Sequence, residues 1–260
     1  MKPNFKRSIF LVRSWMVAFV LFGVVVSSPA FAEDEWQFHL APYAWLAGQQ
    51  GEASVFQGLP PVDIDIDFWD DIAGNINGAL FLVGEAQKGP FGVVFDLAYV
   101  NIEDDDATPG PLFSRAEVQT EAWMSSLAGK YRLLEQYSSY LDLLAGVRYW
   151  SVENTVTLKP GALPGAKASQ MKTWVDPIIG VNGLTPLGES RFYVGGSLVI
   201  GGFGVSSDFM WDVFVRLGYQ WTESLSTIIG YRYLDVDYSD GSYQYEIAQH
   251  GPILGLSYRF

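Results

Sequence analysis

Apolar side chains alternate with polar or small ones along most of this chain, up to its last residues. The final run places Leu254, Leu256, Tyr258 and Phe260 on one face of an extended segment. Successive side chains of a β-strand point to opposite faces, so a period of two residues predicts strands. Such runs recur about ten times after the first 35 residues, and no helical period is sustained over a similar length. The sequence therefore predicts an all-β fold.

The beginning of the chain has a different pattern, which is typical of a secretory signal peptide. Basic residues precede an apolar run over residues 15–26, and Ala-Phe-Ala at residues 30–32 forms a small-residue cleavage site. The apolar run is shorter than the roughly 20 residues that a transmembrane helix needs. We expect residues 1–32 to be a cleaved signal peptide and residues 33–260 to form one exported domain.

Composition and charge exclude several classes of protein. The chain has 16 Lys and Arg against 29 Asp and Glu, a net charge of −13, which argues against a nucleic-acid partner. It has no cysteine, so an exported domain must be stable without disulfides or thiolate metal sites. Aromatic residues make up 15% of the chain and Gly occurs 27 times, which is typical of β-barrels rather than soluble α/β domains.

The predicted connections alternate between short and long. Short turns are expected at residues 88–90, 134–139, 185–190 and 222–224, and long loops near residues 48–75, 103–117 and 152–172. Outer-membrane barrels have short periplasmic turns at one end and longer loops at the other. Four short turns, with both termini at their end, give ten antiparallel strands, although eight to twelve remain open. The prediction is thus an antiparallel transmembrane up-and-down β-barrel, with residues 62–68 as an extra strand above the membrane.

The two faces of the predicted strands favour a membrane barrel over a soluble one. A lipid-embedded barrel displays its apolar face, and aromatic side chains such as Trp123, Tyr149 and Tyr233 near strand ends can form interfacial girdles. The opposite face carries charges of both signs, which we expect to pair across a mostly filled lumen. The candidate lumen-lining residues are Glu85, Asp96, Lys130, Arg132, Asp142, Arg148, Asp176, Arg191, Arg216 and Arg232.

Several motifs are distributed over most of the region after the predicted signal peptide. They include FWDDI at residues 68–72, FGVVFDLAY at 91–99, GVRYW at 146–150, WVDPIIG at 174–180, GGFG at 201–204, GYRY at 230–233 and GLSYRF at 255–260. Together they resemble a family of uncharacterised proteobacterial outer-membrane β-barrel proteins. The resemblance implies an outer-membrane location, but no catalytic or ligand residues. Phe260 resembles the C-terminal aromatic signal of such proteins, so the expected partners are the barrel-assembly machinery, outer-membrane lipids and lipopolysaccharide.

Few residues of this chain could carry out catalysis. Ser-His-acid chemistry needs a histidine within hydrogen-bond reach of the nucleophile, and the chain has only His39 and His250. Alternation places His39 on the lumen side and His250 on the lipid side. We therefore predict no catalytic residue and no cofactor. The alternative of a lipid-modifying outer-membrane enzyme would need one of these histidines beside a Ser and an acid.

Clusters of acidic residues fall in the predicted loops. Asp63, Asp65 and Asp67 project to one side of an extended segment, but the spacing departs from a calcium-binding loop, so we predict no metal site. Divalent ions that bridge these acids to lipopolysaccharide phosphates are a hypothesis. The predicted function is a structural role or narrow passage for small solutes, and a second alternative is a surface binding or adhesion module that uses the long loops.

Overall fold

The computed structural model describes residues 35–54, 57–58, 60–69, 75–107 and 112–260, and the predicted signal peptide lies outside them. Most of the described chain is antiparallel strand. The strands are β1 (Gln37–Trp45), β2 (Gly48–Ala53), β3 (Val62–Ile66), β4 (Ile76–Lys88), β5 (Phe91–Ala107), β6 (Phe113–Gln136), β7 (Ser139–Pro160), β8 (Ala166–Pro186), β9 (Phe192–Gly201), β10 (Ser207–Gln220), β11 (Leu225–Asp240) and β12 (Tyr243–Arg259). Within these residues, no helix is long and apolar enough to cross a bilayer.

Ten of these strands close into a barrel. The order around the sheet is β1-β4-β5-β6-β7-β8-β9-β10-β11-β12, and pairing of β1 with β12 completes the ring. β2 follows β1 in sequence and pairs with the next part of β12, where Gly48 lies opposite His250. β3 in turn pairs with β2. The predicted ten-stranded antiparallel barrel is confirmed, and so is the extra strand at residues 62–68, which belongs to a hairpin outside the ring.

The short turns lie where the sequence predicts them. Gly89 has a positive φ of 55° in the β4–β5 turn, and Tyr137 and Ser138 connect β6 to β7. We call the end of the barrel with these turns the turn end, and the opposite end, where β11 meets β12 through Gly241, the hairpin end. Gly241 has a φ of 64°, a left-handed conformation that glycine adopts without a steric penalty.

The expectation of long loops over residues 103–117 and 152–172 was wrong. β5, β6, β7 and β8 continue as strands through most of these regions, and only a short connection separates Pro160 from Ala166. Residues 152–172 look like a loop in sequence because their outward side chains become polar. Polar and apolar residues still alternate there, but the polar side chains now face outward and the apolar ones inward.

This exchange of faces is clearest on β7. Near the turn end, Leu143 and Val147 are exposed on the outer surface, whereas Asp142 and Arg148 are buried inside. Beyond Tyr149 the inward residues become apolar, beginning with the buried Trp150. An apolar exterior and charged interior suit a membrane barrel, whereas a polar exterior and apolar interior suit water. The strands therefore pass from one environment into the other near Tyr149.

Aromatic pairs mark both edges of the apolar outer belt. At the turn end the ring centroids of Phe91 and Tyr131 are 5.2 Å apart, and those of Tyr258 and Phe260 are 4.9 Å apart. Near the exchange of faces, Tyr99 packs on Trp123 at 4.4 Å. Aromatic rings are enriched at the two interfaces of membrane barrels. The belt between these pairs is therefore the segment that fits a bilayer.

The interior beyond the belt is an apolar core. Trp45, Phe81, Met210 and Leu234 are at most 2% exposed. The rings of Trp174 and Tyr238 stack with centroids 4.1 Å apart, and the rings of Trp150 and Trp174 stack at 5.6 Å. These packed rings lie between the hairpin end and the charged layer, which they cover on that side.

Candidate functional site: an ionic network across the lumen

A buried carboxylate on β10 joins two arginines in the middle of the barrel. Asp212 accepts hydrogen bonds from Nη2 of Arg148 at 2.8 Å and from Nη2 of Arg232 at 2.7 Å. Arg232 also donates to Asp96 at 2.9 Å and to the hydroxyl of Tyr43 at 3.1 Å. Because ion pairs in a medium of low dielectric interact strongly, this arrangement holds the side chains in one place.

The network connects opposite walls of the barrel. Tyr43 lies on β1, Asp96 on β5, Arg148 on β7, Asp212 on β10 and Arg232 on β11. The residues therefore reach the lumen axis from widely separated strands and meet there. Two arginines and two aspartates balance in charge, which limits the cost of removing them from water. We call these five residues the lumen network.

A second charged cluster lies nearer the turn end. Lys130 donates to Glu85 and, at 3.0 Å, to Asp142, which is fully buried. Nε of Arg132 donates to the other oxygen of Asp142 at 2.5 Å. Each cation of this cluster therefore has a carboxylate partner.

Asp176 lies on the opposite side of the lumen network, toward the hairpin end, and is satisfied without a cation. It accepts hydrogen bonds from Nε1 of Trp150 at 2.9 Å and from the backbone N–H and hydroxyl of Ser207 at 2.8 and 2.7 Å. A buried carboxylate with three donors is stable in place. Asp176 therefore anchors the apolar core to the charged layer.

A cavity of about 180 Å³ occupies the lumen on the turn-end side of the network. All ten strands of the ring contribute to its wall. Asp96 and Arg232 border it toward the network, Glu85 and Lys130 line one side, and Arg216 with Asn182 line another. The remaining wall is mostly aliphatic.

Nine of the ten residues predicted to line the lumen lie on the inner face: Glu85, Asp96, Lys130, Arg132, Asp142, Arg148, Asp176, Arg216 and Arg232. Arg191 does not; it is exposed in the turn before β9. The turn starts before the inward alternation of β9 begins, which is why parity alone misplaced it. Arg216 is half-buried and has no carboxylate within ion-pair distance among the described residues.

Sequence reasoning missed the residue at the centre of the network. Asp212 is only 4% exposed and binds both arginines, yet it was not among the candidates. A signal was present, because Met210, Asp212, Phe214 and Arg216 alternate on one face of β10. Because every second residue of a strand lies on the same face, counting back four residues from Arg216 reaches Asp212.

The two histidines lie in separate environments. Nδ1 of His39 is 4.0 Å from Glu85 inside the barrel, while Nδ1 of His250 is 2.8 Å from the hydroxyl of Tyr231 on the outer surface. Neither has a hydrogen bond to a Ser or Thr hydroxyl within the described parts of the chain. Over the same residues, no group of three His, Cys, Asp or Glu side chains is arranged to hold a metal ion.

A row of carboxylates crosses the outer surface at the hairpin end. Asp237 pairs in register with Glu246, Glu246 with Glu52, and Glu52 with Asp63 on four neighbouring strands. Partial burial raises the pKa of Glu246, and the nearby charges of Asp237 and Glu52 raise it further. The row is thus a concentrated negative surface above the apolar belt.

A closed antiparallel barrel with an apolar belt outside and ion pairs inside is the fold of outer-membrane β-barrel proteins. No family model matches the chain, and no curated protein matches it. Solved structures do. The outer-membrane protease OmpT of Escherichia coli is 17% identical with a TM-score of 0.54, and the match covers 90% of this chain and 99% of that one.

A second solved structure, the translocator domain of the autotransporter NalP of Neisseria meningitidis, is 12% identical with a TM-score of 0.50. This match covers 87% of this chain and 89% of that one. At such low identity, both likenesses concern the fold alone. They agree with the barrel architecture and say nothing of the activity of this chain.

Proposed function

We propose that this chain is a non-catalytic outer-membrane barrel protein whose lumen is closed by the lumen network, with a structural role and passage limited to small solutes. The proposal is supported most strongly by the two ion pairs that Asp212 forms with Arg148 and Arg232 across the lumen. Because these ion pairs cross the lumen, they close it as long as they stay formed. The turn end faces the periplasm and the hairpin end faces the medium.

The surroundings of the network support a closed resting state. Toward the hairpin end the stacked rings of Trp150, Trp174 and Tyr238 fill the interior. Toward the turn end the lumen widens into the cavity of about 180 Å³. Passage of a small ion or solute therefore requires a rearrangement of the network and of the rings beyond it.

The outer surface supports lipids and lipopolysaccharide as partners. Lipid chains fit the apolar belt, and the carboxylate row from Asp237 to Asp63 lies where lipopolysaccharide phosphates would be found in an outer leaflet. Two negatively charged surfaces attract each other only through cations. Divalent ions between the row and these phosphates are part of the proposal.

Conductance in planar bilayers tests the closed lumen. The wild-type protein should give no sustained conductance. Asp212→Asn should give conducting events that favour anions, because Arg148 and Arg232 then leave two positive charges without their shared partner. Asp237→Asn, the same chemical change on the outer surface, should behave like the wild type.

Two results would contradict the proposal. A wild-type protein with large, steady conductance has an open lumen, whatever the network contributes. Conductance that is the same in Asp212→Asn and the wild type would show that the network does not control passage. Heat-modifiable migration of unboiled samples on a detergent gel establishes that each variant is folded before it is measured.

A further inference from the structure

Arg216 is the one cation on the cavity wall, among the described residues, that has no carboxylate partner. Lys130, Arg148 and Arg232 also border the cavity, but each forms ion pairs with Glu85, Asp142, Asp96 or Asp212. The nearest acceptor of Arg216 is Oδ1 of Asn182, at a long 3.4 Å from Nη2. Its Nε is buried and has no hydrogen-bond partner. A guanidinium group in this state favours an anion that can accept from its unused donors.

One neighbouring strand, β9, leaves space for the guanidinium group. Arg216 is in register with Gly195 on β9 and with Gly230 on β11. A Cβ atom at Gly195 would be 3.0 Å from Nε of Arg216, so a side chain there would displace it. Gly195, from a Gly-Gly pair that has no phosphate-binding context in the sequence, thus makes room for the arginine beside the cavity.

The rest of the cavity wall selects for an apolar body. Around Arg216 lie Phe214 on its own strand and Val199 and Ile228 on the flanking strands, with Ile178 and Leu144 further around the ring. A chloride or phosphate ion would satisfy the guanidinium group but leave this surface against water. A carboxylate is planar and matches the two parallel donors of an arginine. The wall and the arginine together fit a carboxylate attached to a compact apolar group.

The volume of the cavity sets the size of that group. An apolar cavity of about 150 Å³ is large enough to bind benzene. The lumen cavity measures about 180 Å³. It therefore accommodates a single ring with a carboxylate, and not a long-chain lipid.

We propose that the lumen cavity is a binding site for small monocarboxylates with an apolar body, held by Arg216. The carboxylate accepts from the terminal nitrogens of Arg216, and the apolar body lies against Phe214, Val199 and Ile228. Asp96, Asp212 and Glu85 also border the cavity but their charges are held by Arg232, Arg148 and Lys130. The ligand enters from the turn end, since the apolar core covers the other side. The site is independent of whether the closed lumen ever conducts.

Calorimetric titration of the folded protein in detergent tests this site with benzoate as the probe. The wild type should bind one benzoate per chain. Arg216→Met keeps the length of the side chain without its charge and should weaken binding by about tenfold or more, the usual range for a lost hydrogen bond to a charged group. Arg191→Met removes an exposed arginine from the β8–β9 turn and should leave binding unchanged.

A second variant keeps the arginine but gives it a carboxylate partner within the protein. Asn182→Asp places a carboxylate of the same shape beside Nη2 of Arg216, so the guanidinium group gains an internal partner and benzoate binding should be lost. Benzyl alcohol tests the apolar body alone, and acetate tests the carboxylate with almost no body; both should bind more weakly than benzoate.

Three outcomes would overturn the proposal. They are absence of benzoate binding to folded wild-type protein, equal binding to Arg216→Met and the wild type, and equal binding of chloride and benzoate. Because the titration needs no transport, each of these outcomes leaves the conductance experiment unaffected. A failure of the closed-lumen proposal likewise leaves the titration to be judged separately.

Discussion

Asp212→Asn will lower the free energy of unfolding by about 3–5 kcal/mol, the usual cost of breaking a buried ion pair by removing one partner. The amide still fits the space, but Arg148 loses its only carboxylate among the described residues, and Arg232 keeps only Asp96. Two buried guanidinium groups then lie close together without the charge that joined them. Chemical unfolding in detergent or lipid, extrapolated linearly to zero denaturant, measures the loss.

Asp237→Asn is the matched control for this prediction. It makes the same chemical change on the next strand, on the outer surface and beyond the apolar belt. Partial burial and the charge of Asp208 raise the pKa of Asp237, so its ionised form already destabilises the fold slightly. Neutralising it should leave stability unchanged or raise it at neutral pH. If the two variants lost the same free energy of unfolding, the buried ion pairs of Asp212 would contribute no more to stability than an exposed carboxylate does.

Ile229→Arg will destabilise the protein in a bilayer by about 2–4 kcal/mol, the cost of an arginine at the midplane on the lipid face of a barrel. Ile229 is 52% exposed and lies halfway along the outward residues of β11 between Leu225 and Tyr233. In a water-soluble barrel, the same exposed position would accept an arginine at almost no cost. The size of the loss therefore distinguishes the two environments.

Ser239→Arg is the control on the same strand and face. Ser239 is exposed beyond the belt, next to Asp208, where a positive charge meets water and an acidic surface. Its stability should stay within about 0.5 kcal/mol of the wild type, as for most surface substitutions. If Ile229→Arg and Ser239→Arg were equally harmless in lipid, the belt would not be embedded.

Alternation of apolar residues was sufficient to predict the barrel. It places Leu143 and Val147 outside and Asp142 and Arg148 inside, because each strand has only two faces. The same rule explains the failure over residues 103–117 and 152–172. Over residues 152–172 the outward face is polar because it meets water, so the pattern resembles a loop unless the exchange at Tyr149 and Trp150 is recognised.

The partners within the lumen could not be predicted from alternation. Parity gives the face of a residue but not which residue across the barrel it meets, since that depends on strand tilt and register around the whole ring. Arg148 and Asp176 are in register on adjacent strands, yet Arg148 pairs with Asp212 and Asp176 binds Trp150 and Ser207. That Arg216 has no carboxylate partner among the described residues likewise becomes visible only once all the other ion pairs are assigned.

Site-specific cysteine labelling in intact cells tests most directly whether the apolar belt spans the outer membrane. The chain has no cysteine, so Ile229→Cys and Ser239→Cys each introduce a single reactive thiol. A membrane-impermeant maleimide should label Ser239→Cys in intact cells and Ile229→Cys only after the membrane is dissolved and the protein unfolded. Equal labelling of both thiols in intact cells, or labelling of Ser239→Cys only after the cells are broken, would contradict the account.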